Sequence, residues 1–255
     1  MSDYDRYANS RVGAGYARSG AAVDQGLRAY MIGVYNYMTL GLGVTGLVAY
    51  AAFALGTVSV GGGRLALTDF GHAIYASPLR WLIVLSPLAL VFWLSAGIER
   101  MSVATARNAF IAFAALIGLS MSALLVVYTG ASIGRAFFAA AAAFASLSLY
   151  GYTTQRSLSA MGSFMMMGVI GLIVASLLNL FLHSTGLQFG ISILAVVIFA
   201  GLTAWDTQSI KDMYYVGDGY DVAQKKSIHG ALRLYLDFIN MFQALLMLTG
   251  SQRNN

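Results

Sequence analysis

The sequence predicts an all-α membrane protein with seven transmembrane helices, and three observations predict it. Of 255 residues, 58% are hydrophobic and only 10% are charged, against roughly 25% charged in an average soluble domain. Mean hydropathy is correspondingly high, at +0.71. The apolar runs are continuous rather than alternating, which is the helical pattern at these lengths. Stretches free of Lys, Arg, Asp and Glu are long enough to cross a bilayer, which takes about 20 residues.

The first stretch is Ala29–Gly63, with its helical body at Met31–Leu55. Trp81–Ile98, Asn108–Gly134 and Ala136–Gln155 follow. Ser157–Trp205 is too long for one helix and breaks at His183-Ser184-Thr185-Gly186, giving helices at Gly162–Leu182 and Phe189–Ile210. Ile228–Gly250 is the last. Residues 29–250 thus form the transmembrane domain, preceded by a polar, loosely ordered tail, 1–28, and followed by a short tail, 251–255. The first 28 residues lack the apolar core of a cleavable signal peptide. Residues 56–80 form the longest loop, with Gly61-Gly62-Gly63 and Pro78 as turn signals. Gly41, Gly43, Gly46 and Gly118 read as packing positions where helix backbones approach closely.

Composition also excludes functions. No cysteine is present, so thiolate metal sites, disulfides and cysteine nucleophiles are out. His72, His183 and His229 are too scattered for a metal site. The net charge of +5 is spread too thinly to track a phosphate backbone, so nucleic acid is not an expected partner. With the amino terminus cytoplasmic, only Arg64, Arg80, Arg135 and Arg253 of the 15 basic residues fall outside. The positive-inside rule then predicts a cytoplasmic amino terminus and, after seven spans, an external carboxyl end. A final span that only dips into the membrane would reverse that end.

Two aspartates fall inside spans. Asp206 lies four residues before Ile210, about 6 Å of helix rise, and Asp237 nine residues after Ile228, about 13 Å. Both therefore belong to the cytoplasmic half. A charge at mid-membrane costs roughly 2.5–3.5 kcal/mol on insertion scales, so each needs a proton, a counter-ion or water. Two neighbouring carboxylates cannot both ionise cheaply, so such a pair shares a proton; it also offers oxygen to a hard cation such as calcium. The competing structural readings are an Arg233–Asp237 ion pair across one helical turn and hydrogen bonding of Asp206 near Thr203 or Gln208. Asn240 shares the Asp237 face and either orients the carboxylate or bonds another helix. Glu99 and Arg100 close the second span on the same side, Arg100 as a candidate counter-ion or a snorkelling anchor.

GLTAWDTQSIKDMYY (Gly201–Tyr215) and LRLYLDFINMFQALL (Leu232–Leu246) resemble the Bax inhibitor-1, or transmembrane Bax-inhibitor-motif, family. SLYGYTTQRSLS (Ser148–Ser159) resembles its bacterial branch. The resemblance spans residues 28–250. It implies seven helices with the last central and wrapped by the other six. It implies a pH-sensitive calcium leak channel, with Asp206 and Asp237 as sensor and gate and as calcium ligands. A second-helix arginine that exchanges partners with the sensor falls approximately on Arg100. Arg233 stands where the resemblance implies a neutral residue in some members.

The expected function is therefore a proton-gated cation leak, not an enzyme. No cofactor is expected beyond calcium as the carried or weakly bound ion. Expected partners are the lipid bilayer, calcium, protons and other membrane proteins; the expected location is the bacterial inner membrane. Two competitors remain. A non-conducting regulator would bind other membrane proteins and modulate cell death or membrane proteases. An intramembrane aspartyl protease also needs paired acids, but its usual glycines are replaced by Leu236 and Phe238 around Asp237.

Overall fold

The computed structural model describes the backbone of residues 3–253 except 62–63, and side chains from Gln25 onward. Seven helices are long and apolar enough to cross a membrane. They are α1 (Asp3–Gly56), α2 (Leu79–Gly97), α3 (Val103–Val127), α4 (Gly130–Thr153), α5 (Ser159–Leu182), α6 (Thr185–Asp212) and α7 (Tyr220–Thr249). The chain is an all-α, multi-pass membrane protein. Leu47, Phe92, Phe138 and Phe181 lie exposed on its outside, as lipid-facing positions require.

The polar tail, 1–28, is described in its backbone from Asp3. Its side chains up to Asp24 lie outside the described residues, but its backbone continues α1 from Asp3. No proline interrupts it. The apolar part of α1 begins at Gln25.

Other boundaries move for identifiable reasons. The sequence places the third break at Arg135, yet the chain turns at Tyr128 and Thr129. Thr129 caps α4, its hydroxyl accepting from the Ser132 N–H. Arg135 then lies within α4 and donates to Ser132 Oγ at 3.3 Å. α7 starts at Tyr220 rather than Ile228. Asp221 in its first turn suits the helix dipole, and Lys226 reaches back to Asp218 at 2.5 Å and to the Met213 carbonyl at 3.0 Å. The break after Leu182 falls where expected: His183 is left-handed (φ 50°) and Ser184 caps α6. In α2, Pro87 cannot bond the Ile83 carbonyl, and the Ser86 hydroxyl does so instead at 3.1 Å.

The loop between α1 and α2 holds a hairpin, β1 (Thr57–Ser59) paired antiparallel with β2 (Leu65–Leu67), which continuous apolar patterning does not announce. A short helix, Asp69–Gly71, and a wide turn, His72–Ala76, follow it.

α7 is buried over most of its span, whereas each other helix is buried over a third or less. It packs chiefly on α6, α1 and α4, and to a lesser extent on α3. These four, rather than all six, make its main surroundings. Tyr235 is fully buried on α7 between Phe110 and Phe113 of α3. Its hydroxyl pairs with Thr45 Oγ1 at 2.6 Å, and Thr45 also donates to the Ala114 carbonyl at 2.9 Å. One polar cluster thus joins α1, α3 and α7.

Beyond α7, residues 251–253 fold back on the α3–α4 turn. Thr129 N–H donates to the Ser251 carbonyl at 3.1 Å and Arg253 N–H to the Val127 carbonyl at 2.8 Å. Gln252 bridges Tyr128. α7 is 30 residues long, about 45 Å, long and apolar enough to cross a membrane.

Close helix approaches rest on glycine. A Cβ on Gly118 would meet the Thr45 carbonyl oxygen at 2.5 Å, and one on Gly151 would strike the backbone of Ala204. Gly41 abuts Phe110 and Tyr235, while Gly43 and Gly46 face open space. Gly151→Ala is expected to destabilise the fold by about 2 kcal/mol through overpacking, read as a lowered thermal midpoint in detergent. Gly43→Ala is expected to leave the midpoint unchanged or higher.

Candidate functional site

Asp206 on α6 and Asp237 on α7 meet. Both are buried, at 6% and 4% exposure, and their carboxyls stand within hydrogen-bonding reach of each other. Asp237 Oδ2 is buried without a donor from any described group. The carboxyl it faces is itself an acceptor when ionised, so a bond between them requires a proton on one.

Arg233 supplies the counter-ion, but not as an intrahelical partner of Asp237. Its Nη2 donates to Asp206 Oδ1 across the α6–α7 interface. Its Nη1 donates to Ser209 Oγ at 3.2 Å, and its guanidinium lies 5.2 Å from the Trp205 ring centroid. Trp205, Asp206 and Ser209 share one side of α6 and clasp this one side chain. The cluster holds two acids and one base, so a single shared proton makes it neutral. Neutrality is strongly favoured where charges are desolvated.

The other candidates are placed differently. Thr203 bonds the Phe199 carbonyl, and Gln208 bonds Arg156 O and Leu158 N–H, so neither holds Asp206. Asn240 donates to the Leu236 carbonyl of its own helix at 2.8 Å, orienting neither Asp237 nor another helix. Arg100 is exposed beyond the end of α2, and no ion pair joins it to the acids among the described residues. Glu99 is likewise exposed, but its carbonyl accepts from Lys225 Nζ at 2.8 Å. No group of three or more His, Cys, Asp or Glu side chains converges among the described residues. With Arg233 on Asp206, the two carboxyls supply only part of the 6–8 oxygens that a calcium ion takes.

Two cavities flank the cluster. One, of about 550 Å³, lies where the ends of α2 and α6 meet the start of α7, and Glu99, Lys225, Lys226 and His229 line it. This is the basic end of the bundle. The other, of about 430 Å³, lies between α5, α6 and α7, with Gln188, Ser192, Asn240 and Gln243 among its walls. Along α7, His229 faces the first and Asn240 the second, about 17 Å apart. Arg233 and Asp237 fall between them.

A further network, missed in the sequence, positions α6. Tyr35 Oη pairs with Ser148 Oγ at 2.6 Å, Ser148 with Thr207 Oγ1 at 3.0 Å, and Thr207 donates to the Thr203 carbonyl at 2.8 Å. It ties α1 and α4 to the residue beside Asp206. Its only sequence signal is hydroxyl groups inside apolar helices, which commonly bond their own backbone instead.

Arg233→Met leaves Asp206 buried without a counter-ion and is expected to cost about 3 kcal/mol. Adding Asp206→Asn is expected to recover much of that loss, because the stranded charge goes with it. A double-mutant cycle on thermal melts in detergent measures the coupling.

The family model described as inhibitor of apoptosis-promoting Bax1 matches residues 27–254. An uncharacterized protein of Rickettsia prowazekii is 45% identical over 231 residues, covering 91% of this chain and 93% of the relative. Another from Caulobacter vibrioides is 42% identical, covering 99% and 100%. The inner membrane protein YbhL of Escherichia coli K12 is 41% identical, covering 89% and 94%. With the matched region taking in all seven apolar spans and the acid pair, the chain belongs to the bacterial branch of the Bax inhibitor-1 family.

Proposed function

We propose that this protein is a proton-gated leak pathway for calcium and related cations in the bacterial inner membrane, with its basic end in the cytoplasm. The observation that carries the reading is the Asp206–Arg233–Asp237 layer lying between two cavities along α7. Family membership and the inner-membrane relative support the setting. The concentration of Lys and Arg at one end supports the orientation.

With one shared proton the layer is neutral and α6 and α7 stay clasped. Loss of that proton leaves two carboxylates against one guanidinium. Repulsion between the acids then loosens the clasp, and the uncompensated negative charge favours a cation. Calcium is the cargo here, passing the acids rather than residing on them. A protease reading gains no support from this geometry. Asp206 is engaged by Arg233, and Asp237 is buried beside Leu236 and Phe238 rather than presented to a peptide.

Calcium entry into dye-loaded liposomes, followed from about pH 5 to 8, tests the reading. Flux is expected to rise with pH in the wild type. Asp206→Asn and Asp237→Asn, which remove an ionisable acid, are expected to flatten that dependence. Absence of flux from folded protein at every pH would overturn the leak. A regulator that acts by binding other membrane proteins would then replace it.

A further inference from the structure

The basic-end cavity contains a titratable group that the gate does not account for. His229 lines it. Its Nδ1 is buried and has no hydrogen-bond partner among the described groups. A structural histidine normally has one ring nitrogen pinned by a carbonyl or carboxylate, which fixes its tautomer. Nδ1 of His229 is not pinned in that way.

Its position continues the gate. His229, Arg233 and Asp237 are spaced four residues apart and form one stripe along α7. The stripe faces α6, because Arg233 on it binds Asp206 and Ser209. Close by, Gly230 lets α7 approach Ile210 of α6, where a Cβ would stand 2.9 Å from the isoleucine. His229 and Asp206 lie within electrostatic reach of one another. The other charged groups around the ring are Arg233 on its own helix and Glu99 at the end of α2. Lys225 and Lys226 share the cavity wall with it. Arg233 cannot pass a proton along, since a guanidinium does not deprotonate in proteins. The cavity on the far side of the gate has amide, hydroxyl and apolar walls and no titratable side chain among the described residues.

We infer that His229 is the proton carrier between the basic-end cavity and the Asp206–Asp237 pair, so that the gate reads the pH of that side of the membrane. A proton from cavity water binds one nitrogen of the neutral imidazole. The imidazolium releases the proton on its other nitrogen to water, which hands it on to the ionised carboxyl pair. The ring is neutral again, in its other tautomer, and resets by tautomer exchange. His229 touches neither calcium nor its path; it sets how fast the gate equilibrates, not where.

The inference rests on the gated-leak reading, and the test separates the two. The full chain in nanodiscs is stepped in pH, and the carboxyl C=O infrared band follows protonation of the pair directly. Calcium flux is followed in liposomes in parallel. In His229→Gln the band is expected to respond about tenfold more slowly or worse, while the midpoint reached at equilibrium stays at the wild-type pH. In His229→Ala, added imidazole, small enough for the 550 Å³ cavity, is expected to restore the rate. Rescue also shows that the variant is folded. Wild-type rates in both variants would overturn the carrier role even if flux remains pH-gated. So would a carboxyl band that does not titrate. Slowed and rescued protonation without any flux would uphold the carrier and overturn the leak.

Discussion

Arg233 sits inside the membrane layer because Asp206 does, and neither is stable there alone. Removing one partner of a buried pair strands the other at a cost of about 3–5 kcal/mol, a large share of a typical net stability of about 5–15 kcal/mol. The remaining acid, Asp237, has no cation of its own among the described residues and depends on a proton shared with its neighbour. One interhelical contact therefore decides the charge state of the layer, the spacing of α6 and α7, and which protonation states the fold tolerates.

The surrounding structure holds this contact in place. Tyr35, Ser148 and Thr207 link three helices just beside Asp206. Gln208, two residues further on, fastens α6 to the α4–α5 connection through Arg156 and Leu158. On α7, Tyr235 lies between Arg233 and Asp237 in sequence and is locked on another face by Thr45 and two phenylalanines. The site is thus braced from both helices by groups that carry no charge. Hydroxyl groups bond in the membrane without the desolvation penalty of an ion, so they suit a frame around a layer that changes charge.

Much of this is legible in the sequence. Runs without charge mark the seven spans, and helix rise alone puts Asp206 and Asp237 at similar depths. Helix ends are less legible. Arg135 reads as a loop residue because it is charged, but a capping threonine six residues earlier decides the turn, and a long side chain can sit in a helix and reach outward. The partner of Arg233 is hidden for a different reason. A four-residue spacing suggests a bond within α7, whereas the choice of Asp206 depends on how two helices face each other. His229 reads in the sequence only as a poor metal ligand; its value comes from a cavity that three separated segments create. The cationic partner expected from the second span, Arg100, stays at the surface while Arg233 occupies the place beside the acid.

The return of residues 251–253 to the α3–α4 turn has a mechanical consequence. Backbone bonds in both directions fasten the far end of α7 to a neighbouring pair of helices. A rod held at one end can swing but cannot slide. Any displacement that parts α7 from α6 therefore grows with distance from that anchor, and is larger at His229 than at Asn240. The strap makes the helix a lever with its fulcrum at one face of the membrane and its free arm at the other.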